Sequence, residues 1–264
     1  MSSKNRLRRT MMFLNAQKPS LIKDPYIYKP DSLMFDLEDA VSVNQKDAAR
    51  FSLYHALTTI DYRGCEKVVR INGLDTNLWK EDIRCCVAAH CDVIRIPKTD
   101  DAGMVKAVEK EIEKAEKEFN LEIGSTLIMA ALESAKGVLN AYEICTSSER
   151  MIGIALSGGD YTKDLQTSIS GTGIELMGAR QLMIIAARAA KVQCFDTVWT
   201  NLDDIEGFRK EVEIIRTMGF DGKSCINPRQ IDIVHEVYTP TAKEIIFAQK
   251  VVNEIDTKKA QGIG

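Results

Sequence analysis

The sequence predicts an α/β fold, a single (β/α)8 TIM barrel formed by residues 1–264, and three observations support this prediction. The length of 264 residues matches the usual size of such a barrel, which is about 250 residues. Eight short apolar runs alternate with amphipathic helical patterns along the chain. Most of these runs are apolar at every position, which is typical of parallel strands that are buried on both faces. An open, doubly wound sheet is the alternative, but eight strand–helix repeats in this length favour the closed barrel.

The predicted strands and helices follow one another without a linker or a low-complexity segment. Residues 101–119 carry Glu and Lys at i,i+4 spacing, which predicts a helix with one solvated face. The predicted strands are residues 11–14, 33–37, 67–71, 92–96, 126–132, 151–156, 194–198 and 221–226. The clearest predicted helices are residues 44–57, 101–119, 178–190 and 204–218.

The composition excludes several classes of protein. Apolar residues make up 45% of the chain and charged residues 28%, as in ordinary globular proteins. The net charge of −3 argues against a strongly basic nucleic-acid-binding protein. A basic cluster at residues 4–9 has no apolar segment behind it, and no apolar run approaches the roughly 20 residues that span a bilayer. Seven cysteines without a CxxC pair indicate reduced thiols and a cytoplasmic protein.

Polar residues follow most of the predicted strands, and in a (β/α)8 barrel the chemistry lies at these strand ends. Arg70 and Glu133 come directly after apolar runs, where such long charged side chains are rarely helix caps. For the shorter polar residues, the alternative is that they cap the next helix or solvate a loop. The polar residues at these strand ends are Asp36, Glu38, Asp39, Arg70, Asn72, Lys98, Glu133, Ser134, Ser157, Asp160, Lys223, Ser224 and Asn227.

Two carboxylates follow neighbouring predicted strands. Glu133 follows the fifth strand and Asp160 the sixth. Adjacent strands lie about 4.8 Å apart, so both side chains can reach one ion. Carboxylate oxygens without a nearby His or Cys suit a hard cation such as Mg²⁺. The alternative is that each is a loop carboxylate bonded to backbone N–H groups.

Two familiar catalytic motifs are absent, and one partial match fails. The sequence contains neither HExxH nor GxSxG, which argues against a zinc protease and a serine hydrolase. Residues 219–224 resemble the end of a phosphate-binding loop, but Thr217 stands where the first glycine is required.

Five ordered motifs resemble those of the citrate lyase β subunit and HpcH/HpaI aldolase superfamily, and together they cover essentially the whole chain. Their order along the chain makes the combination highly specific. Within the superfamily, the Asn227–Pro228 pair resembles citrate lyase β subunits more than relatives with His-Pro. The motifs are LMFDLEDAV at residues 33–41, VRIN at 69–72, IPK at 96–98, ALES at 131–134 and GFDGKSCINPRQI at 219–231.

The resemblance implies a Mg²⁺-dependent carbon–carbon lyase that cleaves citryl-acyl-carrier protein, or citryl-CoA, to oxaloacetate and an acetyl thioester. The residues at the matching motif positions imply that Glu133 and Asp160 are the metal ligands. They also imply that Arg70, Glu133 and Asp39 are the catalytic residues. The guanidinium group of Arg70 is expected to pair with a substrate carboxylate or with the developing oxyanion. The expected substrate-binding residues are Arg70, Glu133, Asn72 and Lys98.

The resemblance also implies partners, because the family enzyme is a complex of three kinds of subunit. We expect an acyl-carrier protein subunit, a CoA-transferase-type subunit and assembly into a homo-oligomer. An acidic carrier protein would dock on lysines near the barrel mouth, such as Lys98 or Lys223. The alternative is that these lysines pair with carboxylates at the rim and that free citryl-CoA is the substrate.

The chain departs from the family pattern in three places. Residues 14–16 read LNA where the family has Val-Pro-Gly, and residues 157–160 read SGGD where it has Gly-Ala-Glu-Asp. The chain is also expected to lack a C-terminal tail that can carry a catalytic aspartate. The general base therefore stays open among Asp36, Glu38, Asp39 and that tail. The alternative functions are a malyl-CoA-type or related acyl-CoA lyase and a non-catalytic scaffold subunit.

Overall fold

The computed structural model describes residues 5–261 and contains a closed barrel of eight parallel strands in chain order. The eighth strand pairs with the first, which closes the barrel and confirms the predicted fold class. The strands are β1 (Thr10–Asn15), β2 (Ser32–Asp36), β3 (Glu66–Arg70), β4 (Val93–Ile96), β5 (Leu127–Leu132), β6 (Met151–Leu156), β7 (Gln193–Asp196) and β8 (Gly222–Cys225).

All eight predicted strands are present, with small differences at their ends. The bounds of β6 coincide with the predicted residues 151–156. In contrast, β7 ends at Asp196 rather than at residue 198, because strand pairing stops at the register pair of Asp196 with Lys223. The apolar run thus continues for two residues into the loop that follows the strand.

Helices connect successive strands on the outside of the barrel, and the last two helices follow the eighth strand. Asp101 and Asp204, predicted as first helical residues, are the N-caps of their helices, and their carboxylates accept hydrogen bonds from backbone N–H groups. The helices are α1 (Pro19–Ile22), α2 (Lys46–Thr59), α3 (Trp79–Ala88), α4 (Ala102–Glu118), α5 (Ala135–Leu139), α6 (Ala141–Cys145), α7 (Gly158–Asp164), α8 (Met177–Ala190), α9 (Ile205–Met218), α10 (Arg229–Tyr238) and α11 (Ala242–Ala260).

Apolar side chains form two buried cores. The larger core lies between the strands and the surrounding helices, and the smaller one fills the barrel interior. Side chains two positions apart on a strand share a face, so the inward positions above this interior core are Asp36, Arg70 and Arg95. The barrel interior thus changes from apolar to charged towards the carboxyl ends of the strands. The interior core contains Met11, Met34, Val68, Val93, Leu127, Met129, Ile152, Ala155 and Phe195.

The cysteines are free thiols, and five of the seven are buried. Burial raises the pKa of Cys145 and of Cys225 to about 12, so these thiols stay protonated near neutral pH. In the part of the chain from residue 5 to residue 261, no helix is both long enough and apolar enough to cross a membrane.

Candidate active site

A cavity of about 490 Å³ opens at the carboxyl ends of the strands, where the polar side chains were predicted to meet. Its wall combines apolar residues of the strands with residues of the loops that follow them. Of the predicted site residues, Asp39, Arg70 and Asp160 line the cavity. The other lining residues that enter the argument are Phe13, Asp36, Arg95, Ser157, Gly158, Thr197 and Ser224.

Arg70 and Asp36 form a bidentate ion pair in the cavity wall. They are the last residues of β3 and β2 and stand opposite each other in the strand register. Arg70 donates through Nε and Nη2 to the two Asp36 carboxylate oxygens, each at 2.7 Å. Burial alone would raise the pKa of Asp36, but the hydrogen bonds and charge of Arg70 outweigh it and lower this pKa. Asp36 therefore stays ionised and holds Arg70 in one orientation.

Glu38 joins Arg70 to Lys98. Its carboxylate lies 3.1 Å from Arg70 Nη1 and 2.9 Å from Lys98 Nζ. Burial is the largest influence on Glu38 and raises its pKa despite both cations. Asp39 differs, because its side chain is 56% exposed and lies 3.7 Å from Arg70 Nη1. Asp39 thus faces the cavity with Arg70 and Lys98 as more distant ion-pair partners, at 3.7 and 4.0 Å.

Glu133 is held at the end of β5 by the backbone of a neighbouring loop. The N–H group of Lys98 donates to Glu133 Oε1 at 3.1 Å, and Lys98 has a left-handed backbone with φ of 46°. No donor among residues 5–261 reaches Glu133 Oε2, although this oxygen is buried. Burial, the largest influence, raises the pKa of Glu133 to about 7. A buried carboxylate with an unpaired oxygen is costly unless a cation neutralises it.

Asp160 lies beside Glu133, as the strand-end argument predicted. The hydrogen bond from Lys163, at 2.8 Å, is the largest influence on Asp160 and lowers its pKa. The neighbouring side chain of Glu133 lowers it further.

The paired carboxyl groups of Glu133 and Asp160 fit a hard divalent cation. The unpaired oxygen of Glu133 is an acceptor without a donor, and the donor set contains oxygen only. Within the described residues 5–261, no group of three or more His, Cys, Asp or Glu side chains could enclose a metal ion. A cation here would therefore keep positions for water and substrate, as Mg²⁺ commonly does.

Arg95 belongs to this site and was not predicted from the sequence. It stands opposite Arg70 in the register of β3 and β4 and is only 1% exposed. Burial lowers the pKa of Arg95 to about 10, and the charge of Arg70 contributes to the shift. The Cζ atoms of Arg70 and Arg95 each lie 5.3 Å from the centre of the Phe13 ring. A charged residue inside an apolar run was the pattern that could have indicated it.

Two residues expected at the site lie elsewhere. Asn72 is outside the cavity lining, and its backbone N–H and side-chain amide both donate to Asp82 Oδ2, which fixes α3 against the end of β3. The expectation that Lys223 is available for docking is wrong, because its side chain is fully buried. Lys223 Nζ lies 2.6 Å from Asp196 and also contacts Glu211. Adjacent strand residues face opposite sides, so Ser224 lines the cavity and Lys223 faces the helices.

The chain resembles known proteins over nearly its whole length. Residues 9–228 match the model of the HpcH/HpaI aldolase/citrate lyase family. The citrate lyase subunit beta of Leuconostoc mesenteroides subsp. cremoris is 54% identical over 98% of this chain and 86% of that protein. A (3S)-malyl-CoA thioesterase of Cereibacter sphaeroides is 32% identical over 97% of this chain and 86% of its own. The Mycobacterium tuberculosis citrate lyase beta subunit, solved with oxaloacetate and magnesium, is 25% identical with a TM-score of 0.76, covering 91% of this chain and all of that one.

Proposed function

The chain belongs to the HpcH/HpaI aldolase/citrate lyase family, and on that premise we propose that it is a carbon–carbon lyase for a citryl thioester. The products are oxaloacetate and an acetyl thioester. The observation that carries the proposal is the buried, unpaired oxygen of Glu133 beside Asp160 at the barrel mouth. This pair offers a cation site next to the guanidinium groups of Arg70 and Arg95. A substrate with two free carboxylates requires such a concentration of positive charge.

Glu133 and Asp160 would hold Mg²⁺, which when bound supplies Lewis-acid stabilisation of negative charge on substrate oxygens. Glu133 contributes the unpaired Oε2, while the N–H group of Lys98 keeps the other oxygen in place. Asp160 has to share its carboxylate with Lys163, an exposed side chain that can turn into solvent. The two ligands thus need little rearrangement of the barrel.

The cleavage moves one proton and breaks one carbon–carbon bond. A base removes the proton of the tertiary hydroxyl group, the carbonyl group of oxaloacetate forms, and the bond to the thioester methylene breaks. The electron pair of that bond gives a thioester enolate, which takes up a proton and becomes the acetyl thioester. Negative charge therefore passes from the hydroxyl oxygen to the thioester oxygen, and fixed cations near both positions lower the barrier.

Asp39 is the proposed base. Asp36 is occupied by Arg70, and its lowered pKa makes it a poor proton acceptor. Glu38 is buried between Arg70 and Lys98, whereas Asp39 lines the cavity and is half exposed. Arg70 Nη1, 3.7 Å from Asp39, keeps this carboxylate near the cavity and adds positive charge at the reacting end.

We assign the chain to a larger assembly, as the beta subunit of a citrate lyase with an acyl-carrier protein subunit and a CoA-transferase-type subunit. The support is the 54% identity to a protein that is itself named as a subunit. Lys98, half exposed beside the mouth, is the proposed contact for an acidic carrier protein. We also propose that this assembly contains several copies of the chain and works in the cytoplasm.

An assay of oxaloacetate release tests the proposal. The purified protein with Mg²⁺ should release oxaloacetate from a citryl thioester and lose this activity with a chelator. A malyl thioester is the competing substrate, because one relative is a malyl-CoA thioesterase. Faster cleavage of malyl thioester would assign the chain to that group. No cleavage of either substrate, even with the partner subunits present, would indicate a scaffold subunit.

A further inference from the structure

Arg95 is a buried cation without a hydrogen-bonding partner at two of its nitrogens. It lies on β4, lines the cavity, and is 1% exposed. No acceptor among residues 5–261 reaches its Nε or its Nη1, although both nitrogens are buried. Its Cζ atom lies over the face of the Phe13 ring, 5.3 Å from the ring centre. A guanidinium group carries five N–H donors, and leaving them unpaired away from water is strongly unfavourable.

Arg70 cannot take the place of Arg95 in binding a substrate carboxylate. Its Nε and Nη2 already bind both oxygens of Asp36, and its Nη1 faces Glu38. The parallel edge of donors that a substrate carboxylate would use is therefore occupied in Arg70. In Arg95 the Nε and Nη1 atoms have no acceptor and lie on different edges of the guanidinium group, so each offers a single hydrogen bond, and the side chain borders the cavity.

We propose that Arg95 binds the second free carboxylate of the substrate and so selects dicarboxylic over monocarboxylic 2-oxo acid groups. This inference rests on the proposed function, in which the oxaloacetate half carries two carboxylates. A malyl thioester has only one free carboxylate and would leave Arg95 unpaired. Sites that bury a polar group for a particular substrate discriminate strongly against analogues that lack its partner.

The alternative is that Arg95 only balances the nearby acids Glu133, Asp36 and Glu38, whose charges act on it at longer range. The two explanations differ in what they predict for protein stability. If Arg95 serves a substrate, replacing it with methionine removes an unpaired buried charge and leaves the melting temperature unchanged or higher. If it balances the acids, the same change lowers the melting temperature.

The test measures binding of oxaloacetate and of pyruvate, each with Mg²⁺, by calorimetry. Pyruvate has a methyl group where oxaloacetate has a carboxymethyl group. Arg95→Met should weaken oxaloacetate binding about 10- to 100-fold and change pyruvate binding less than about twofold, as expected for charged hydrogen bonds. Arg95→Lys should recover part of the loss. Arg150→Met is the matched control, because Arg150 is buried but paired with Glu116 at 2.6 Å, so its loss should lower the melting temperature.

Each result decides the inference. Equal loss for both ligands, no loss for either, or equal binding of both ligands by the unchanged protein would overturn it. A lower melting temperature for Arg95→Met together with equal loss would assign Arg95 to charge balance. Failure of the proposed function is recognised separately, because the unchanged protein would then not release oxaloacetate from a citryl thioester.

Discussion

Arg70 and Asp36 lie opposite each other at the ends of β3 and β2, and each carboxylate oxygen of Asp36 lies 2.7 Å from a nitrogen of the Arg70 guanidinium group. This pairing changes the role expected of Arg70. Its donors are used to fix its own position, so what it offers a substrate is charge at Nη1 rather than a free fork. Asp36 is accordingly a positioning residue for Arg70.

Replacing Arg70 with lysine tests this arrangement. Arg70→Lys keeps the charge but cannot hold both Asp36 oxygens, so this charge is no longer fixed in place, and we expect kcat to fall about 100-fold, as when one preorganised electrostatic contact is lost. Asp36→Asn should also lower kcat, because Arg70 then loses the carboxylate that holds it in position. Arg209→Lys, which alters a surface pair with Glu236, is the control. An unchanged kcat in Arg70→Lys would contradict this role.

Removing either proposed metal ligand should abolish Mg²⁺ binding. Glu133→Ala and Asp160→Ala each delete one oxygen donor, whereas the barrel should stay folded because Glu133 Oε2 has no donor in residues 5–261 and Asp160 pairs with exposed Lys163. Calorimetric titration with Mg²⁺ measures the effect, and circular dichroism checks the fold. Glu118→Ala, on the outer face, is the control. Full Mg²⁺ affinity in Glu133→Ala would disprove the assignment.

Mg²⁺ binding should depend on pH through Glu133. Its pKa in the folded protein is about 7, well above that of an unfolded glutamate, because the side chain is buried. Below pH 7, Mg²⁺ has to displace this proton, so its affinity should rise as the pH rises to about 7 and then level off.

The same shift has a consequence for stability without Mg²⁺. Between the unfolded pKa and about 7, the folded chain keeps a proton that the unfolded chain has released, so the free energy of unfolding should fall as pH rises through this window. Glu133→Gln should remove both dependences. Denaturant unfolding and calorimetry at several pH values measure them, and a persistent slope in Glu133→Gln would point to another group.

Carrier docking should depend on Lys98. Lys98→Gln removes a half-exposed positive charge, so kcat/KM for citryl-carrier protein should fall severalfold at low salt and less at high salt. The value for citryl-CoA should change less. Lys114→Gln is the matched control, because Lys114 is exposed on the outer helix α4. Equal efficiency with both substrates at every salt concentration would remove the carrier-docking proposal and leave the lyase chemistry standing.

Lys223 should matter for stability instead of docking. Its ammonium group neutralises Asp196, which also binds Arg180, in a fully buried cluster. Lys223→Met leaves that cluster short of one positive charge, and breaking a buried pair of this kind costs about 3–5 kcal/mol. Urea unfolding measures the change, with Lys250→Met on the exposed face of α11 as control. A loss no larger than the control's would mean that the buried cluster contributes nothing.

The barrel could be predicted because its strands are recognisable without tertiary information. In β6 every residue is buried, so the apolar run and the strand have the same bounds. In β7 the run overshoots, since Val198 is apolar yet lies beyond the last paired residue, Asp196. An apolar run indicates which residues are shielded from water, and this shielding extends past the last residue that is hydrogen-bonded to a neighbouring strand.

The site was predicted only in part. Searching for polar residues just after each strand finds residues in the loops, but it does not find residues within a strand whose side chains point into the barrel. It placed Glu133 and Asp160 together, as the structure does. It overlooked Arg95, which lies within a strand, and misplaced Lys223, whose neighbour Ser224 faces inward. Counting alternate residues along β4 and β8 would have corrected both, once the inward face of each strand was known.

The interior of the barrel changes character in one step, because Asp36, Arg70 and Arg95 each stand two positions after an apolar interior residue on the same strand. Such a step spans only about 6.6 Å along a strand. On these three strands, the residues that fill the barrel interior and the residues that line the cavity thus form two separate layers of side chains. A protein engineer could exchange the upper layer to change the charges in the cavity while leaving the lower layer, and with it the packing of the barrel interior, untouched.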